Sequence, residues 1–305
     1  MKQTKKLSRK VISYVLALVM VFSTMTGIVP FMDTSMTVKA EVADKTVAGL
    51  GTSAIINPTS TDSSATAWAG NYVYYGKYDG TSPTKYRVLD RASSDFGVAG
   101  GSLLLDCNTT LYNAKFHDSN KAWSSSTLRE GLQGADFLNK TNVFTEQEKG
   151  AIAKSKKNSA IENKDGSGTS SLNYAALSDD TVFVLDAKEA SRTSYGYASK
   201  DTRKKSGTSS QWWLRSPSTF NENYASYVGP RGTISNIDVN PQYSYVGVSP
   251  AFNIKLSSVI FASLITGTAG AAGAEYKLTL KDDKMNIALT SGKKVTQSGN
   301  ALAIP

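Results

Sequence analysis

From residue 72 onward the chain is dominated by runs in which apolar and polar residues alternate, in two groups separated by a polar middle. A period of two puts every second side chain on one face of a strand, so each run reads as half-buried β-structure. Strands are predicted at 72–78, 86–91 and 102–107, in meander order, with breaks at Asp79-Gly80, Ser82-Pro83 and between Gly97 and Gly101. The second group, 212–215, 224–228, 233–239 and 245–254, is interrupted by Gly229-Pro230-Arg231-Gly232 and Asn240-Pro241. In the middle, Ser125 or Ser126 is placed to cap a helix carrying Leu128, Arg129 and Leu132. Thr145-Glu146-Gln147-Glu148 matches a capping box, in which Thr145 and Glu148 satisfy each other's free amides. A long exposed loop at 155–178, a strand at 181–185 and a short helix at 186–192 complete the middle.

Trp212-Trp213-Leu214-Arg215-Ser216-Pro217 carries two of the four tryptophans. On an extended backbone Trp212 and Leu214 share one face and Trp213 and Arg215 the other, so at least one indole is buried. Such burial removes roughly 150–250 Å² from water, worth about 4–6 kcal/mol, and an arginine beside it needs carbonyl or carboxylate partners. This strand is predicted to lie at a sheet centre, as scaffold.

The ends read differently. Lys2, Lys5, Lys6, Arg9 and Lys10 precede an apolar run of about a dozen residues, and Val38-Lys39-Ala40 supplies small residues at a cleavage site, so 1–40 reads as a secretory signal too short to span a bilayer. The mature chain is then secreted or held at the cell surface. Removal of 1–40 takes away six basic residues and one acidic residue, lowering the net charge from +9 to +4. That modest excess argues against a nucleic-acid partner. Residues 41–67 read as a linker and 68–256 as the main domain. At 257–274 come a β-prone run and a Gly/Ala linker, and 275–305 reads as the truncated start of an all-β, Ig-like module, the first of further β modules in a longer chain. The single cysteine, Cys107, rules out an intrachain disulfide, so stability must come from a core.

Little in the composition supports catalysis. The one histidine, His117, lies in a polar loop ten residues from Cys107, and no Cys/His cluster exists for zinc. Asn163-Lys164-Asp165-Gly166-Ser167-Gly168 resembles a calcium loop but lacks its closing acid. Asp179 and Asp180 are adjacent, so a strand points them apart rather than across one glycosidic bond. No catalytic residue, metal or cofactor is expected. In contrast, half of 218–245 is Asn, Tyr, Ser or Gly, a paratope-like mixture of rigid aromatic area and adaptable hydrogen bonding. Asn221, Asn223, Tyr224, Tyr227, Arg231, Asn236, Tyr243 and Tyr245 are the candidate ligand-binding residues. Trp123, Arg129, Trp212, Trp213 and Arg215 are the candidate structural ones.

The order Val88-Leu89-Asp90, Trp123 with Ser126-Thr127-Leu128-Arg129, Phe144 with Glu146 and Glu148, Val182-Phe183-Val184-Leu185, Trp212 to Pro217, and Gly247-Val248-Ser249-Pro250-Ala251-Phe252 resembles a family of secreted bacterial domains of uncharacterised function. The resemblance covers 68–256. It departs at Ser249, where the family usually has arginine, and this leaves Arg215 or Arg129 to take over that arginine's contacts. The family in turn looks distantly like the C-type lectin fold, which implies an α+β domain with small antiparallel sheets, two or three short helices and long loops. Calcium-dependent lectin motifs are absent, and one cysteine argues against the cysteine-pair oxidases of that fold. In lectin-like folds the binding face lies late in the domain, where the Asn/Tyr/Ser-rich segment falls. The reading is a non-enzymatic recognition domain for an extracellular glycan or protein, with a structural spacer or a secreted hydrolase as the alternatives.

Overall fold

The computed structural model describes residue 52 and residues 54–119, 122–159, 173–218, 223–240 and 243–282, with the backbone of 296–298 and 301–303. The predicted signal at 1–40, the calcium-like loop at 163–168, residues 283–295 of the expected β module and Asn221 lie outside the described residues.

β1 (Tyr72–Tyr74), β2 (Lys85–Ser93) and β3 (Ser102–Cys107) form the predicted antiparallel meander. All six residues of β3 are buried, because it sits inside its sheet with β2 on one side and β15 (Ala251–Lys255) on the other. The short strands β4 (Thr109–Thr110) and β5 (Tyr112–Asn113) follow β3 directly.

The polar middle contains both predicted caps. The Ser126 hydroxyl accepts from the Arg129 amide at the start of α1 (Thr127–Gln133), and Thr145 and Glu148 form a complete capping box on α2 (Glu146–Ala151). β6 (Ile152–Ala153) continues straight from α2. The expected loop at 155–178 begins and ends as a strand pair, β7 (Ser155–Lys157) with β8 (Leu177–Asp180). β9 (Val182–Phe183) pairs with β15, and the helix expected at 186–192 is a single 3-10 turn at Glu189–Ser191. A helix that was not expected, α3 (Lys200–Arg203), opens with Ser199 as its cap. β10 (Ser206–Gly207) then pairs in parallel with β4.

β11 (Trp212–Pro217) is buried at every residue and lies inside a second sheet of order β13-β12-β11-β14-β5. Its neighbours there are β12 (Tyr224–Val228), β13 (Ile234–Asp238) and β14 (Gly247–Val248). A register shift between Trp213 and Pro217 breaks the simple alternation, and both indoles are fully buried. The run at 245–254 divides at Ser249-Pro250 between the two sheets, since proline cannot donate to a ladder.

Two expected boundaries fail. The β-prone run after 256 forms β16 (Val259–Thr266), and β17 (Glu275–Leu280) does not start another module: both are strands of the main sheet, whose order is β16-β17-β1-β2-β3-β15-β6. β17 pairs in parallel with β1 and contributes Tyr276, fully buried, to the shared core. The expected linker at 41–67 also takes part, through the fully buried Ile55 and the Asn57 amide, which donates to Asp90 at 3.1 Å. The described chain is thus mostly β with three short helices, a mixed α+β arrangement.

Candidate functional site

Everything at the late end hangs on β11. The Trp213 indole donates to the Ala114 carbonyl at 2.7 Å and meets Phe116 edge-on at 5.5 Å, and the Trp212 indole donates to the Arg203 carbonyl at 3.2 Å. The five N–H groups of Arg215 reach the carbonyls of Ala175 and Val184, both oxygens of Glu189 and one of Asp186. Trp123 is fully buried near Phe116, and Arg129 pairs with buried Asp180 at 2.5 Å. Four of the five structural candidates are thus fully buried, and Arg129 is half-buried against Asp180.

The ligand-binding candidates do not form one group. Register sets Trp213 opposite Tyr227 and Tyr227 opposite Ser235, so Tyr227 shares a face with Trp213. Tyr243 and Tyr245 pack edge to face at 5.8 Å, and Tyr245 is 45% exposed. Desolvation, then the phenols of Tyr243 and Tyr227, push the Tyr245 hydroxyl up from its ordinary value. Tyr224 and Asn236 belong to the opposite face, paired with Asp238 and Ser226. Asn236 is spent internally, accepting from Ser226 at 3.0 Å and donating to Ser218 at 3.1 Å, which removes it from a ligand surface. Asn223 is exposed just before Tyr224, and Arg231 is exposed on the turn between β12 and β13.

That turn has one backbone requirement. Gly232 has φ +73°, and a Cβ there would stand 1.8 Å from the Lys200 carbonyl oxygen, while its own carbonyl accepts from Arg203 at 2.8 Å. Gly232→Ala is expected to destabilise the domain by about 1–3 kcal/mol, read as a lower urea midpoint, since the strain adds to a steric clash with backbone.

Two polar clusters escaped the sequence reading. In the first, Asp186 and Glu189 cap each other's amides, Ser159 donates to Asp186 at 2.8 Å, and Lys157 pairs with Glu189 at 2.7 Å. A cavity of about 670 Å³ opens beside them, lined also by Asp95, Ser191 and Arg192. Burial, then Glu189, push the Asp186 carboxyl up. Burial opposes ionisation of Glu189 too, but Arg215 and Lys157 overcome it and hold that carboxyl well below the usual range. The linked stability follows in sign. Glu189 contributes above its unfolded value of about 4.3 and loses that contribution as pH falls toward its lower folded value. Asp186 works oppositely, favouring the fold below its unfolded value of about 3.9. Urea melts of the parent and Glu189→Gln are expected to show an advantage that is level from neutral pH to about 5 and shrinks below about 4.3.

In the second cluster, Lys205 donates to Asp106 and to Ser249, each at 2.6 Å, and Tyr197 donates to the same Asp106 oxygen. Neither Arg215 nor Arg129 takes the contacts expected for an arginine at Ser249, because both have carboxylates of their own. The cation beside Ser249 is Lys205, from the segment after α3. Cys107, next along β3, is fully buried, and its thiol is pushed up to about 11 chiefly by desolvation, far from a nucleophile's range. The His117 ring accepts from the Ser119 amide at 3.0 Å.

One family pattern matches residues 100–256, just over half of the chain, a span that takes in the quoted motifs from Trp123 to Phe252 and leaves out Val88-Leu89-Asp90 on β2. The chain belongs to the DUF6273 family, described as a domain of unknown function. No curated protein and no solved structure matches it. The matched span begins inside the main sheet, after β1 and β2, so the folded unit around the DUF6273 domain is wider than the family pattern. Outside that span lies most of a cleft of about 940 Å³ lined by Tyr74, Tyr75, Phe144, Glu148, Lys277 and Ile265 among others. Among the described residues no helix is long and apolar enough to cross a membrane.

Proposed function

We propose that this DUF6273 domain is a secreted or surface-displayed, non-enzymatic recognition domain that contacts an extracellular glycan or protein through Tyr227, Tyr243 and Tyr245, with Arg231 and Asn223 at the margins. The observation that carries the reading is the edge-to-face pair of Tyr243 and the 45% exposed Tyr245, with Tyr227 half-buried on the strand next to the wholly buried β11. Tyrosine offers a large contact area at little rotamer cost, and a rigid sheet beneath holds it in place. A C-type-lectin-like architecture belongs to the same reading. It is supported by short helices, two sheets and late irregular segments that carry the aromatic face. Export rests on the basic and apolar leader at 1–40. The test is to probe the full secreted chain on arrays of extracellular glycans and host proteins; a reproducible ligand is expected, and a chain that binds nothing overturns the reading.

A secreted hydrolase has one observation in its favour, the two carboxyls beside the 670 Å³ cavity that are pushed in opposite directions. Both are already committed to Arg215, Lys157 and each other's amides, which favours a structural role. A glycan or ester substrate turned over by the parent and not by Asp186→Asn would reverse that preference.

A further inference from the structure

Lys205 and Asp106 are 99 residues apart in sequence, and both side chains are fully buried where β3 meets the segment after α3. The contact is held from both sides. Arg87 donates to the carbonyls of Thr202 and Lys204, fixing the chain just before the lysine, and β10 pairs with β4 just after it. The ammonium sits 4.1 Å from the centre of the Trp212 ring. On the acid, Lys205 and Tyr197 donate to one oxygen, while Ser249 lies 3.1 Å from the other. A carboxyl whose oxygens are met by hydroxyl donors, with an amine fixed at 2.6 Å in a site closed to solvent, has the parts of an intramolecular acyl transfer.

We propose that Lys205 and Asp106 condense to an amide, a covalent cross-link between β3 and the segment leading into β10. The lysine first passes a proton to the carboxylate, leaving a neutral amine and a neutral acid. Nζ then bonds to Cγ, and the C–O bond to the Tyr197-bonded oxygen breaks. That oxygen leaves as water carrying two protons from the original ammonium, with the Tyr197 hydroxyl passing one across and recovering it. No oxidant, reductant or cofactor enters. Burial, opposed by Asp106 and aided by Arg87, brings the lysine down to about 8, so the amine form is accessible near neutrality, as a desolvated lysine nucleophile requires. A chain with one cysteine has no disulfide of its own, and this bond supplies a long-range cross-link of another kind.

The test is peptide mass spectrometry of the folded full chain after denaturation and trypsin digestion. Trypsin does not cleave after an acylated lysine. The expected product is therefore a branched species joining residues 92–115 to residues 205–215, lighter by one water than the two peptides together, in most molecules. Lys205→Arg, which cannot form the bond and is cleaved after residue 205, is expected to release 92–115 and 206–215 as separate peptides. Ordinary cleavage after Lys205 and a free 92–115 peptide as the main products from folded parent protein overturn the cross-link and leave a buried ion pair. That result would not touch the recognition reading, which rests on a different face.

Discussion

Replacing Arg215 with leucine is expected to lower the stability of the domain by about 3–5 kcal/mol, enough to leave a marginal fold. The arginine is fully buried, and each of its five N–H groups has an acceptor. Two parallel bonds to Glu189, at 2.6 and 2.8 Å, make the charge-assisted fork that a lysine cannot reproduce. Leucine fills part of the volume but strands the buried Asp186 and Glu189 and the carbonyls of Ala175 and Val184. Arg215→Lys keeps the charge, loses the fork, and is expected to fall between parent and leucine. Thermal melts of the three proteins rank them; a leucine variant that melts with the parent would put the side chain outside the core.

Trp213→Ala is the second large effect. The indole is fully buried, stacks edge-on with Phe116, and donates to Ala114. Truncation opens a cavity between β11 and the 112–118 segment and leaves the Ala114 carbonyl without its donor, a combined loss of about 3–5 kcal/mol. Trp213→Phe retains most of the contact and is expected to recover over half of that loss. Because Tyr227 lies on the same face, the alanine variant is also expected to loosen the tyrosine face. Chemical denaturation gives the stability term, and tyrosine accessibility to nitration reads the second effect.

Much of the architecture was legible where the determining interactions are local. Ser126 and Thr145 cap the helices they were expected to cap, since a cap is settled within four residues. The buried strands 102–107 and 212–217 stood out by apolar content and aromatic mass. The interactions that were not legible join distant segments. Nothing local in Glu275–Leu280 tells it to lie parallel to Tyr72–Tyr74, and a Gly/Ala stretch before it looks the same in a tight turn as in a linker. Lys205 had no visible partner because Asp106 lies 99 residues earlier, and a family arginine missing at Ser249 drew attention to other arginines instead. The tyrosine face was half legible. Composition located the segment, but only the β12–β13 register separates Tyr227 from Asn236, and strand alternation cannot supply a register between two strands joined by a turn of open length.

Under the proposed function, stability rests on buried β11 and recognition on the Tyr243–Tyr245 pair in the turn before β14. The most direct measurement is the Tyr243→Ala/Tyr245→Ala double variant of the full chain, read on the same glycan and protein arrays and by thermal melting. The account predicts at least about a tenfold loss of binding to whatever ligand the parent selects, roughly 1.4 kcal/mol, with a melting temperature close to the parent's. Undiminished binding by a folded double variant would contradict it.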